Sequence, residues 1–133
     1  MYMLDTNMCI LLIKRKFQSA LDQLKVKRLK GVCISSITLA ELEFGIENSA
    51  QEYRARNRIA LMEFLSIIEV KYFDEISAKE YGIVKKELKD HKCLIGPFDM
   101  LIGSHAKSLK MTLVTNNTNE FQRISNLKIE DWA

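Results

Sequence analysis

Short β-prone apolar runs alternate along this chain with longer stretches whose apolar residues recur at helical spacing. Tyr2-Met3-Leu4 suits a buried strand and leads directly into Asp5-Thr6-Asn7, small polar residues that favour caps and turns. Cys9-Ile10-Leu11-Leu12-Ile13 then predicts the first turns of a helix. Residues 17 to 29 place Phe17, Leu21, Leu24 and Leu29 at mostly helical spacing among basic residues. Val32-Cys33-Ile34-Ser35, bounded by Gly31 and Ser36, reads as a second strand, and Ser35-Ser36 supply caps for a helix from Ile37 to about Asn48. Residues 51 to 68 predict another helix, Glu69-Val70-Lys71-Tyr72 a third strand, and Ile76 to Asp90 a further helix. After a connector over His91 to Gly96, Pro97 fits the first turn of a helix that continues through Leu109.

Met111-Thr112-Leu113-Val114 repeats the grammar of the N-terminus, an apolar strand ending in small polar residues, here Thr115-Asn116-Asn117-Thr118. A short helix with Glu120 and Phe121 follows, and the tail from Leu127 to Trp132 could supply an edge strand. Strands alternating with helices throughout predict an α/β sandwich around a parallel sheet. At 133 residues the chain is expected to form one domain, 1–133, with its own core.

Composition narrows the class. A chain 47% apolar and 28% charged is ordinary for a soluble globular protein, and no apolar run approaches the ~20 residues that span a bilayer. Asp5 and the Lys14-Arg15-Lys16 cluster interrupt anything resembling a signal core. Cys9, Cys33 and Cys93 are odd in number and without a C-x-x-C pair, which points to reduced thiols in the cytoplasm. The net charge of +3 is mild, but Lys14, Arg15, Lys16, Lys25, Lys27, Arg28 and Lys30 face a single acid, Asp22, between residues 14 and 30. Solvated helix faces would explain each basic cluster alone. Beside an acidic site, they suit a polyanionic substrate.

The acids decide which chemistry that is. Asp5 ends the first strand, Glu41 lies near the start of the helix after the second, and Asp99 opens the helix before the fourth. Asn117 and Glu120 follow the fourth strand. In an open parallel sheet all of these can meet above the carboxyl edge, where ligands bind. Taken singly, Asp5 reads as a helix cap and Asp99 as a stabiliser of a helix dipole. Taken together, the carboxylates would repel unless a cation neutralised them, and hard divalent ions such as Mg²⁺ or Mn²⁺ take oxygen ligands. His91 and His105 form no zinc pattern with the cysteines.

Four motifs run in order along the chain: Met3-Leu4-Asp5-Thr6-Asn7, Ser35 to Leu42 with Gly45, Ile95-Gly96-Pro97-Phe98-Asp99, and Thr115-Asn116-Asn117 with Glu120-Phe121. Jointly they resemble PIN-domain ribonucleases and, more narrowly, the VapC toxins of VapBC toxin–antitoxin modules in their enteric form. The resemblance implies a PIN-like three-layer α/β/α sandwich around a mostly parallel sheet of four to five strands. It implies a dimeric endoribonuclease dependent on Mg²⁺, with Mn²⁺ as the alternative, held inactive by a VapB antitoxin. It also implies initiator tRNA, cut in the anticodon loop, as substrate. Asp5 and Asp99 would hold the metal and Glu41 would complete the catalytic triad. Thr6, Asn7, Thr38 and Thr115 would orient carboxylates or waters, and Lys14, Arg15 and Lys16 would contact RNA. The chain departs from many PIN domains at Asn117, where an acid is common, and Glu120 is the alternative for that role. A runner-up reading follows from this departure: a PIN-like module that binds RNA or a partner without cutting. The intact Asp5, Glu41 and Asp99 weigh against it.

Overall fold

Alternation along the central strands sorts side chains into two separate cores. In a computed structural model covering residues 1–133, Tyr2 and Leu4 of β1 (Tyr2–Leu4) point to one face of the sheet and Met3 to the other. β2 (Val32–Ser35) does the same, with Val32 and Ile34 on the first face and Cys33 on the second. So does β4 (Thr112–Val114), through Val114 and Leu113. This is the period-2 rule of a strand buried on both faces. The strand order is β3-β2-β1-β4-β5, with β3 (Glu69–Lys71) and β5 (Ile129–Glu130) at the edges, and every pairing is parallel. The expectation of four to five mostly parallel strands resolves to five, all parallel, and the tail does supply the edge strand.

Helices cover both faces. The first core receives α1 (Thr6–Ile13), α2 (Gln18–Lys27), α3 (Ser36–Glu47) and α4 (Gln51–Leu65), through Met8, Leu12, Leu21, Leu42, Ile46 and Phe64. The second receives α5 (Glu75–Asp90), α6 (Pro97–Ser108) and the short α7 (Thr118–Phe121), through Val84, Leu88, Met100, Ile102, Ala106 and Phe121. Helix α4 stops at Leu65, short of the sequence expectation of 68. Ser66 caps it and donates its hydroxyl to the Glu63 carbonyl. The stretch from 17 to 29 divides into α2 and a 3-10 turn over Arg28–Lys30, which leaves Leu29 exposed.

The chain order places the site. It runs β1, β2, β3 outward, then returns to lay β4 against the other side of β1. That reversal beside β1 is a topological switch point, the place where open parallel sheets bind ligands. Because every strand is parallel, the residues following β1, β2 and β4 emerge at one edge.

Candidate active site

Asp5 ends β1 and is 2% exposed. Its Oδ1 accepts the Met8 N–H at 2.8 Å, so it caps α1, and its own N–H donates to the Val114 carbonyl of β4. The cap uses one carboxylate oxygen. Burial pushes its pKa up, the Thr115 side chain and the Met8 amide draw it down, and the charges of Glu41 and Asp131 push it up again. The capping role therefore does not by itself exclude a ligand role for the same side chain.

Glu41 comes from the second turn of α3, whose start is fixed by Ser35 Oγ accepting the Ile37 N–H at 3.0 Å. The Thr6 hydroxyl donates to Glu41 Oε1 at 2.6 Å and stands 3.3 Å from the fully buried Thr38 Oγ1. Thr6 thereby ties the acid of α3 to the turn that follows Asp5.

Asp99 lies in the first turn of α6, after Pro97, where the helix dipole favours its ionised form. Burial outweighs that, and with the charges of Asp5, Glu120 and Glu41 it pushes the carboxyl up to about 6; a hydrogen bond with the Glu120 side chain acts in the same direction. Glu120 is thus the carboxylate that comes to Asp99 from the β4 side.

The structure brings Asp5, Thr6, Thr38, Glu41, Asp99, Thr115 and Glu120 together. Thr115, fully buried at the end of β4, accepts the Asn117 N–H on its hydroxyl at 2.8 Å. Asn117 precedes α7 without a side-chain capping bond, and the side chain of the exposed Asn7 makes no hydrogen bond either. Lys14, Arg15 and Lys16 follow α1 on exposed surface, and of the three only Lys14 lines a pocket with one of the acids. It shares with Glu41 a groove of about 300 Å³ between α1, α3 and α4, whose walls include Ile13, Leu42, Ile46 and Leu61. Cys9 is fully buried, its thiol pushed up by burial and by Asp5, in keeping with a core role. Sequence reading missed Asp131, whose charge reaches Asp5 from beyond β5, and the buried His105 of α6. Neither belongs to a local motif.

The donor set has a definite chemical preference. Four carboxylates converge, and none of them pairs with a lysine or arginine. An all-oxygen, anionic set fits a hard divalent cation and disfavours a soft one. No three of these carboxylates stand at metal-ligand spacing.

The PIN domain family profile matches residues 2–127. The chain is 41% identical over 132 residues to the tRNA(fMet)-specific endonuclease VapC of Shigella flexneri, covering 99% of this chain and 98% of that one. Its fold superposes with a TM-score of 0.93 on VapBC2 from Rickettsia felis bound to a promoter DNA fragment, at 38% identity over 99% of this chain and 98% of that chain. DNA-bound VapBC from Salmonella typhimurium gives the same TM-score at 39% identity, again over 99% and 98%. With the profile spanning nearly the whole chain and full-length relatives at about 40% identity sharing its fold, this chain belongs to the PIN-domain family, among its VapC members.

Proposed function

We propose that this protein is the toxic component of a toxin–antitoxin module, a single PIN domain over residues 1–133 that acts in the cytoplasm. It is an Mg²⁺-dependent endoribonuclease, with Mn²⁺ as a substitute, and its substrate is initiator tRNA, cut in the anticodon loop. The observation that carries the activity is the convergence of Asp5, Glu41, Asp99 and Glu120 without a basic partner. The name of the Shigella flexneri relative supports the tRNA.

Asp5 and Asp99 would hold the cation. When bound, it supplies charge stabilisation at the scissile phosphate and lowers the pKa of an attacking water. Glu41, fixed by Thr6, completes the oxygen set or takes that water's proton. Glu120 fills the role of the fourth acid that Asn117 leaves open, since an amide oxygen can ligate but adds no charge. Thr115 steadies Asp5 from β4, and Thr38 backs Thr6 and Glu41. Lys14, Arg15 and Lys16 track the RNA backbone, which makes binding sensitive to salt.

The partner is a VapB-type antitoxin, as in the VapBC complexes that share this fold. Its helix or tail occupies the groove between α1, α3 and α4, where apolar walls lead to Glu41. The toxin pairs as a homodimer.

The test is cleavage of total bacterial tRNA by the purified chain with Mg²⁺, beside EDTA and Asp99→Asn controls. One discrete cut in initiator tRNA, lost in both controls, is the expected result. Tight tRNA retention without cleavage would replace the nuclease with the binding-module reading.

A further inference from the structure

His105 is a polar side chain buried in the second core, 1% exposed, on the same helix as Asp99. Its Nδ1 lies 2.9 Å from Oγ of Ser35, seventy residues away in sequence. Ser35 is itself fully buried and is the N-cap of α3, the helix that carries Thr38 and Glu41. One side-chain bond therefore joins the helix bearing Asp99 to the cap of the helix bearing Glu41.

The hydrogen-bond inventory favours one direction. Ser35 Oγ already accepts the Ile37 N–H, and its own proton has no acceptor other than His105. Donation from the serine to Nδ1 gives that proton an acceptor, and it assigns His105 as a neutral imidazole with its proton on Nε2. Burial disfavours the charged ring and agrees with this, while the Asp74 charge opposes it. The ring is held in place by the edge-on contact with Phe73, at 5.5 Å between centroids and 80° between planes. Phe73 N–H in turn donates to Ser36 Oγ, so the end of β3 and the first residue of α3 are fastened beside the same ring.

We infer that His105 is a positioning residue for the nuclease site: its neutral Nδ1 accepts from Ser35 and sets where the α3 cap, and with it Glu41, stands relative to Asp99. It touches neither substrate nor cation, and it acts through the spacing of the two acid-bearing helices. This rests on the metal-site reading above.

Two substitutions at His105 separate positioning from packing. His105→Phe keeps a ring of similar size against Phe73 but removes the acceptor. His105→Asn keeps an acceptor near the Nδ1 position but gives up the ring. The readouts are kcat and KM on initiator tRNA, Mn²⁺ affinity of the RNA-free full chain by calorimetry, and Tm. The expected result is a kcat about tenfold lower and Mn²⁺ binding several-fold weaker in His105→Phe, with KM within about twofold. His105→Asn should keep more of both while melting lower than His105→Phe. A residue that only fills space gives the opposite order, and that order would overturn the inference. If His105→Phe does not fold, Ser35→Ala removes the same bond together with the Ile37 cap, and it should lose at least as much kcat and Mn²⁺ affinity. Wild-type kcat and Mn²⁺ affinity in Ser35→Ala would likewise overturn it. Wild-type protein that binds no Mn²⁺ at all refutes the metal reading itself, a failure distinguishable because it precedes any substitution.

Discussion

Asp99 shows most directly how burial and neighbouring charge act on one side chain. Its carboxyl binds a proton more tightly in the folded chain, with a value of about 6, than at the model-peptide value of 3.8. A raised carboxyl contributes its stability fully below the unfolded value and loses it as pH rises through the folded one. Metal-free protein therefore loses stability between about pH 4 and pH 6 on account of this group, and at neutral pH the site carries unrelieved repulsion. Asp99→Asn cannot ionise and escapes that loss. In EDTA at pH 7.5 the variant should be more stable by about 1 kcal/mol, allowing for solvent screening at a half-open site, which corresponds to roughly 3–5 °C in Tm. The difference should narrow at pH 4.5. Melting curves at both pH values check this, and an Asn variant that melts lower at pH 7.5 would mean the hydrogen bonds of Asp99 outweigh its repulsion. The residues that were legible in the sequence share one property. Asp5, Glu41, Asp99 and Glu120 each sit just past a strand end or just inside a helix start, where small polar residues and caps mark the position. His105 and Asp131 lie where no local signal marks them, and their partners are set only by the packing of distant elements.

At the scale of elements, helix starts were readable and so were the ends of α3, α5 and α6, while α4 and α2 stop two or three residues short of expectation. The starts carry Asp5, Ser35, Asp74 and Pro97. Three helices end through Arg15, Lys92 and Lys110 in the left-handed region, at φ 53, 55 and 56, without the glycine that usually occupies that position. The glycine that matters for the site lies within α6. A Cβ on Gly103 would meet Ile124 Cδ1 at 2.5 Å and the Phe121 ring at 3.4 Å. Phe121 follows Glu120 directly in α7, so the missing side chain at Gly103 lets α7 seat against α6 and bring Glu120 to Asp99. In Gly103→Ala, the gain in helix propensity, about 1 kcal/mol, opposes an overpacking cost of about 1–3 kcal/mol. Because Ile124 is buried and has little room to turn aside, the cost should win by about 1 kcal/mol. Cleavage should fall several-fold as Glu120 is displaced. Adding Ile124→Val deletes the clashing methyl and should restore both Tm and kcat. A Gly103→Ala single variant as stable and active as wild type would remove α7 seating from the account.

The whole molecule sets a catalytic edge beside a groove, and one glycine separates the two roles. Gly45 lies on α3 one turn beyond Glu41, it lines the groove between α1, α3 and α4, and a Cβ there would meet nothing within 4 Å. It is not required by backbone conformation, since it lies inside a regular helix. A larger residue is therefore free to extend into the groove without straining the free chain. Gly45→Gln replaces a poor helix former with a good one, so the isolated toxin should be unchanged or more stable by up to about 1 kcal/mol. It leaves Asp5, Thr6, Glu41 and Asp99 as they are, so tRNA cleavage by the purified chain should stay within about twofold. With the antitoxin docked in this groove as proposed, a side chain of that length in its path should weaken the complex by tenfold or more, about 1.4 kcal/mol. Co-expression then gives a result that separates the two roles, in which cells carrying antitoxin and Gly45→Gln stop growing while cells carrying antitoxin and wild type do not. Titration calorimetry with the antitoxin measures the same loss directly. Unchanged affinity would place the antitoxin elsewhere on the surface. Lost cleavage together with lost affinity would mean that the groove belongs to the RNA as well, with Lys14 beside Glu41 as the residue at which the two ligands compete.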